Sequence, residues 1–369
     1  MGHEVMAISL RDKFVESATS AEMQVDGGSF QAVRIPAAMP WPECIAYARE
    51  RLDRFVPEWV SLQFVTYTYH PKGFVNGLAA RLAPLLAGRK LHIMFHEVWR
   101  GAQRGASVKE RLVGLVQKKL VLSFIKGVKP LKVHTSNLAY QALLRKNGLD
   151  AGLLPLISNI QIAENSSGWM DGELARLGIT SSNRSEFCLL GIFGSIPMEW
   201  SAEDFLKPVQ EAIGKTNRQL LLLTIGAHSA EAEESLLKAA RNISVKIVSF
   251  GKQLGERVSE FLQAMDYGVA TTSWSILGKS GTVAAMLDHG LPILVFRDDV
   301  DLNVTDPGSP RLIKMKGEWA KTMLAASKIA PRSTRPDIVR SFVRDLQAGV
   351  GATAKEASSY DIADARARL

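Results

Sequence analysis

Short apolar runs alternate with longer amphipathic ones along most of the chain. Runs rich in aliphatic and β-branched residues predict strands at 4–10, 32–35, 59–65, 90–96, 131–135, 153–156, 188–194, 219–226, 245–251, 268–272 and 292–296. Between them, apolar residues at helical spacing predict helices at 42–55, 74–86, 137–146, 202–213, 230–240, 256–265 and 281–289. Strands such as LLLLTIG at 220–226 have no polar face, as expected of a sheet covered by helices on both sides. The alternation predicts an α/β fold built on parallel, doubly wound sheets.

The pattern breaks at 157–186. SNIQIAENSSG and LGITSSNRSE are rich in Ser, Asn and Gly, with one short helical piece around 170–177. Two α/β domains follow from this, 1–165 and 180–335, with a C-terminal helical segment at 336–369. Neither an internal repeat nor a low-complexity tract is visible.

Composition narrows the class. A chain of 369 residues can bury two or three ordinary cores, and 46% hydrophobic with 22% charged residues excludes collagen-like, disordered and coiled-coil chains. Two cysteines, Cys44 and Cys188, cannot form a disulfide framework and lack zinc spacing, which fits a reducing compartment. No apolar run approaches the roughly 20 residues of a spanning helix, and the N-terminus lacks the layout of a signal peptide. A cytoplasmic protein is expected.

Charge is unevenly spread. Residues 101–150 hold ten bases and two acids, an excess equal to the net +8 of the whole chain. Such density suits a phosphate-bearing ligand or an anionic membrane surface, and equally a solvated helix face. Nucleic acid is not expected as a partner, because no nucleic-acid-binding signature accompanies the charge. Within this window, VKERLVGLVQKKLVLSFIKGVKPLK at 108–132 combines helical apolar spacing with lysines. It reads as a helix resting on a bilayer or as a core helix with a wet face.

The most specific segment is TTSWSILGKSGTVAAMLDHGLPILVF at 271–296, which reads as strand, small-residue loop, helix, turn, strand. Gly278, Ser280, Gly281 and Thr282 surround a predicted helix N-terminus, where free amides and the helix dipole attract an anion, and Lys279 adds a charge. The same small residues also suit close helix–strand packing. GKS is not a P-loop, since the glycine required five positions before Gly278 is Ser273.

In order and spacing these segments resemble the GT-B glycosyltransferases, particularly the family-4-like members. AAMLDHGLPILV at 284–295 is similar to the small-residue helix that ends in G-x-P in the donor domain. CLLGIFGSI at 188–196 is similar to that domain's first strand and glycine turn. VSFGKQLGERVSEFLQAMDYGVATT at 248–272 resembles the segment bearing the nucleotide-base loop. WVSLQFV at 59–65 and KLHIMFHEVW at 90–99 resemble strands whose ends face the cleft. The resemblance implies two Rossmann-like domains facing a cleft and a metal-independent transfer of sugar from a UDP- or GDP-linked donor. It places the donor on Gly194, Ser195, Lys279, Ser280, Gly281 and Thr282. The implied acceptor is a sugar or lipid-linked glycan, reached by a protein that is cytoplasmic or peripheral at the inner membrane face. No Asp-x-Asp metal motif is present, and no metal is expected.

Three departures stand out. The usual E-x7-E glutamates are replaced by Leu277 and Ala285. The basic residues that commonly follow the glycine turn are absent from SIPMEW at 195–200. The segment resembling GHEV, ordinarily the second strand, begins at Gly2, so a first β–α unit is expected to be missing and a sheet edge bared. A non-catalytic homologue that binds a sugar nucleotide, or an epimerase or hydrolase of the same architecture, are the alternatives.

His96 and Glu97 end an apolar strand, where side chains reach the cleft of an open α/β sheet. Either can serve as the base that deprotonates an acceptor hydroxyl. Equally, His96 only donates a hydrogen bond. Gln63, Tyr67 and His70 follow the preceding strand and are acceptor-pocket candidates or ordinary loop residues. Glu199 is a further acceptor candidate or a helix cap, and His228 a donor contact or turn residue.

Overall fold

The computed structural model describes residues 2–25, 28–304 and 308–352, so the tail 353–369 of the predicted C-terminal segment lies outside the described residues. The chain opens with β1 (Met6–Asp12), β2 (Thr19–Val25) and β3 (Gly28–Pro36). They form a sheet in the order β1-β3-β2, with β1 parallel and β2 antiparallel to β3. Next come α1 (Trp41–Phe55), β4 (Trp59–Phe64), α2 (Thr66–Tyr69), α3 (Leu78–Leu86), β5 (Lys90–Phe95), α4 (Val108–Val128), β6 (Lys132–Thr135), α5 (Leu138–Lys146) and β7 (Ala151–Leu153). The four strands of this stretch form a parallel sheet in chain order. Both sheets share one apolar core, which runs from Val33 and Ile35 through Phe64, Ile93 and Phe124.

The first lobe therefore carries two sheets where a single doubly wound one is expected. β1 and β4 each have a hydrogen-bonded neighbour on one side only among the described residues. β2 is not predicted, because every one of its residues is exposed and it shows no apolar alternation. β7 lies earlier than the predicted 153–156, since Pro155 has no N–H to continue a ladder.

A linker holding α6 (Trp169–Arg176) leads to the second lobe. This comprises β8 (Phe187–Phe193), α7 (Ala202–Ile213), β9 (Gln219–Ile225), α8 (Ala230–Ile243), β10 (Lys246–Ser249), α9 (Gly255–Ala264) and β11 (Tyr267–Ala270). A 3-10 turn (Trp274–Lys279), α10 (Gly281–Asp288), β12 (Ile293–Val295), β13 (Leu312–Lys314), α11 (Trp319–Ala325) and α12 (Arg335–Ala352) complete it. Its six strands are parallel and ordered β10-β9-β8-β11-β12-β13. Counted from β8 this is 3-2-1-4-5-6, the doubly wound order whose ligands sit where the winding reverses, here between β8 and β11. Leu189, Leu221 and Leu223 pack on one face, and Cys188, Leu190, Leu220 and Leu222 on the other. Burial of both faces explains the unbroken leucine run.

Ser107, Asn137, Ser201, Ser229 and Ser280 cap α4, α5, α7, α8 and α10, each side chain accepting a backbone N–H of the first turn. At α4 the cap is reciprocal, with the Glu110 carboxylate accepting the amide of Ser107. No helix among the described residues is long and apolar enough to cross a membrane.

The lobes touch at the 3-10 turn. The buried Asn137 amide donates to the Ser275 carbonyl at 3.1 Å, and Ile276 and Leu302 pack on the first-lobe core. The chain then returns through α12. Asp345 accepts from His134 Nε2 at 3.0 Å, and the Phe342 ring lies edge-on to His92 at 4.9 Å. His92 and His134 are adjacent on β5 and β6, both fully enclosed.

Burial, with His134 and Lys132 nearby, pushes His92 down to about 3. Burial likewise holds His134 and His289 below the usual imidazole value. These rings stay neutral in the fold but take up protons near pH 6.5 once the chain unfolds. Their contribution is complete above that pH and is lost as pH falls toward the folded values, by roughly 1.4 kcal/mol per pH unit per ring. Urea denaturation at pH 7, 6 and 5 should show this loss, with a shallower slope in His92→Gln. An unchanged slope in that variant would contradict the assignment.

Candidate functional site

The site begins with what α10 leaves unsatisfied. The Ser280 hydroxyl accepts from the Val283 amide at 3.4 Å, and the Ser280 carbonyl accepts from the Ala284 amide at 3.1 Å. The amides of Gly281 and Thr282 have no acceptor among the described residues. Thr272 donates to the Ser280 hydroxyl at 3.3 Å, and Ser280 and Thr282 share a 2.9 Å hydrogen bond. The space around Gly281 is open, so a Cβ there would meet nothing within 4 Å.

Three strand ends converge here. Gly194 follows β8, Gly226 follows β9, and Thr271 follows β11. The Thr271 hydroxyl donates to the Ser195 carbonyl at 3.1 Å, across the point where the winding reverses. Gly194 has φ of 96° and Gly226 φ of 133°. A Cβ on Gly194 would lie 2.7 Å from Thr282 Cγ2, and one on Gly226 would lie 2.9 Å from the Gly194 backbone. Only glycines let these two turns stack against the start of α10. The structure thus brings Gly194, Ser195, Ser280, Gly281 and Thr282 together.

Lys279 points to the other lobe. Its Nζ lies 3.3 Å from Glu97 Oε1, each side chain about one-third exposed. Tyr140 of α5 adjoins both; burial pushes its phenol up, with Lys279 working the other way and Glu97 adding to the rise. Tyr140 was missed in the sequence, where nothing but an apolar helical position marked it. His96 stands beside Glu97 at the end of β5. Its Nε2 lies 2.8 Å from Gln63 Oε1, and its Nδ1 has no partner among the described residues. Burial lowers its pKa while Glu97 works the other way, so the ring is neutral near pH 7.

The remaining candidates are placed elsewhere. The Tyr67 hydroxyl accepts from Gln117 Nε2 at 3.1 Å, under the Arg100 guanidinium. His70 Nδ1 accepts from the Lys72 amide, and its ring stacks on Phe74. Both are engaged within their own lobe. Glu199 is exposed, and the α7 cap is Ser201 rather than Glu199. His228 bonds Thr224 through Nε2, while its Nδ1 is buried without a partner. Leu277 and Ala285, at the glutamate positions of the resemblance, are both buried.

A cavity of about 440 Å³ opens between the lobes along Ser280, Val283, Ala284 and Leu287, not along Gly281 or Thr282. Its lining mixes apolar Leu138, Leu153, Leu277 and Ile338 with Asp288, Arg311 and Asp337. No group of three or more His, Cys, Asp or Glu that could hold a metal occurs among the described residues.

No protein-family model matches the sequence, and no curated protein matches it. Solved structures do. A trehalose-6-phosphate synthase from Burkholderia multivorans superposes with a TM-score of 0.54 at 11% identity, covering 94% of this chain and 92% of that one. An E. coli trehalose-6-phosphate protein bound with UDP-2-fluoro glucose gives 0.49 at 9% identity, covering 95% and 90%. A glycosyltransferase from Rickettsia africae gives 0.48 at 12%, covering 86% and 85%. At such identities the likeness is one of fold, and the fold is GT-B: two Rossmann-like lobes facing a cleft.

Gly194→Ala should cost about 1–3 kcal/mol, from the left-handed backbone and the contact with Thr282. Chemical denaturation reads the loss directly. A variant as stable as the parent would show that this turn does not press on α10.

Proposed function

We propose that the protein is a metal-independent glycosyltransferase that takes a UDP- or GDP-linked sugar as donor. One observation carries the reading: two unbonded amides at the start of α10 open onto the switch point of the second sheet, opposite the first lobe. An anionic diphosphate is the ligand such amides and a helix dipole favour. Gly194 and Ser195 flank it, and Lys279 adds a positive charge within reach of the interlobe gap.

The acceptor side lies on the first lobe, residues 1–165. His96 offers a neutral imidazole and Glu97 a carboxylate, one of which deprotonates the attacking hydroxyl as the sugar–phosphate bond breaks. The Lys279–Glu97 pair is exposed enough to be worth only about 0–1 kcal/mol. An arriving diphosphate therefore outcompetes Glu97 for the ammonium, freeing the carboxylate toward the acceptor. Charge on the departing diphosphate is then held by Lys279 and the α10 amides.

A sugar or lipid-linked acceptor fits the surface of α4. Val108, Leu112, Leu115 and Val116 are exposed beside Lys109, Arg111 and Lys119, a mixture suited to an anionic membrane face and a peripheral cytoplasmic protein. The second reading, a homologue that binds a sugar nucleotide without turning it over, is favoured by the apolar burial of Leu277 and Ala285.

Thermal unfolding with a panel of nucleoside diphosphates tests the reading. The matching nucleotide should stabilise the protein by about 2.7 kcal/mol at a hundredfold excess over Kd. Lys279→Ala should weaken binding by roughly 10- to 100-fold, the loss of one charge-assisted hydrogen bond. Stabilisation by none of the panel would overturn both readings. Binding without nucleotide release across diverse acceptors would select the second.

A further inference from the structure

His96 is one end of a hydrogen-bond chain that crosses the first lobe's parallel sheet. From His96 Nε2 it passes to Gln63 Oε1 at 2.8 Å, and from Gln63 Nε2 to Ser61 Oγ at 2.9 Å. Ser61 Oγ lies 2.8 Å from His92 Nδ1, and His92 Nε2 lies 3.1 Å from His134 Nδ1. The chain ends 3.0 Å from His134 Nε2, at the Asp345 carboxylate on α12. Ser61 and Gln63 lie at the exposed rim, whereas both inner rings are enclosed.

The direction of every link follows from the last one. An ionised carboxylate only accepts, so His134 must carry its proton on Nε2. With that ring neutral, its Nδ1 accepts from His92 Nε2–H. The His92 Nδ1 then accepts from the Ser61 hydroxyl, whose oxygen takes an N–H of the Gln63 amide. This leaves the Gln63 carbonyl facing His96, which must donate from Nε2. The one ring nitrogen of the chain left with a free lone pair is His96 Nδ1, on a ring that feels the Glu97 carboxylate.

We propose that Asp345 is a positioning residue for His96: its negative charge sets the direction of this chain and thereby keeps His96 Nδ1 an acceptor at the lobe interface. The Gln63 amide can orient a neighbour but does not pass a proton on, so the chain fixes a tautomer rather than conducting charge. A second proton on His134 would reverse the links as far as Ser61 and, once the Gln63 amide turned over, make His96 Nδ1 a donor. Burial of both inner rings opposes that proton. Of the charges around the chain, Lys132 opposes it as well, Asp345 favours it, and Arg344 lies 3.6 Å from Asp345. At the other end, His96 faces Glu97. α12 belongs to the chain's return from the second lobe, so the same contact ties the lobe connection to the state of His96.

What His96 does with its lone pair rests on the transferase reading; the tautomer does not. The test is therefore spectroscopic. In the full chain labelled with 15N-histidine, long-range proton–nitrogen correlations at neutral pH report which nitrogen of each ring is protonated, with His96 assigned through His96→Gln. The wild type should show His92, His96 and His134 each as a single Nε2–H form. Asp345→Asn keeps the shape, but its amide can either accept or donate, so an Nδ1–H population should appear at all three rings. Ser61→Ala cuts the chain at the exposed rim, and should release His96 alone while His134 keeps its Nε2–H form. A wild-type His96 protonated on Nδ1 would overturn the proposal. So would a His96 signal unchanged in both Asp345→Asn and Ser61→Ala.

Discussion

A helix leaves its first amides without intrahelical acceptors, and in most helices a capping side chain or solvent answers them. In α10 the Ser280 cap reaches the third amide and leaves the first two, Gly281 and Thr282, open. Much of the second lobe is arranged around that gap. The reversal of winding between β8 and β11 puts a crevice there, and the glycines after β8 and β9 remove the side chains that would fill it. Thr271 and Thr272 tie the loops on either side into a fixed frame. Among the described residues no group completes this arrangement; in the proposed reading an anion does.

The opposite wall is supplied by the first lobe, and the contact between them is polar where chemistry is expected and apolar where it is not. Asn137 and Ile276 hold the 3-10 turn against α5 and the first core. Beside them the Glu97–Lys279 pair is about one-third exposed and weakly bound, so it can rearrange without disturbing the packed contact. In the proposed reading the arriving diphosphate takes Lys279 from Glu97 and so separates the two charges.

How much of this could be read in advance differs by element. The six-stranded sheet was legible because both faces are buried, and its strands carry unbroken aliphatic runs flanked by glycine turns. The start of α10 was legible because small residues cluster where apolar periodicity begins. β2 was not, since a strand exposed along its whole length carries no hydrophobic alternation. The short β13 has too few residues to show a period. Division of the first lobe into two sheets is a matter of which edges pair, which no local pattern encodes. Among site residues, His96 and Glu97 stood out at a strand end, but their partners did not. Lys279 meets Glu97 across 182 positions and Asp345 meets His134 across 211, separations at which spacing carries no signal. Tyr67 and His70 follow a strand end as expected, and their bonds from Gln117, 50 positions on, and from the Lys72 amide add contacts that the sequence did not show.

In the proposed reading, pyrophosphate oxygens occupy the place of the missing acceptors at α10. A crystal structure of the protein soaked with the nucleoside diphosphate that binds it tests this most directly. A phosphate oxygen is expected within about 3 Å of the Gly281 and Thr282 amides, with Lys279 swung from Glu97 toward it. Nucleotide density lying instead in the interlobe cavity along Val283, with both amides still bare, rules this out.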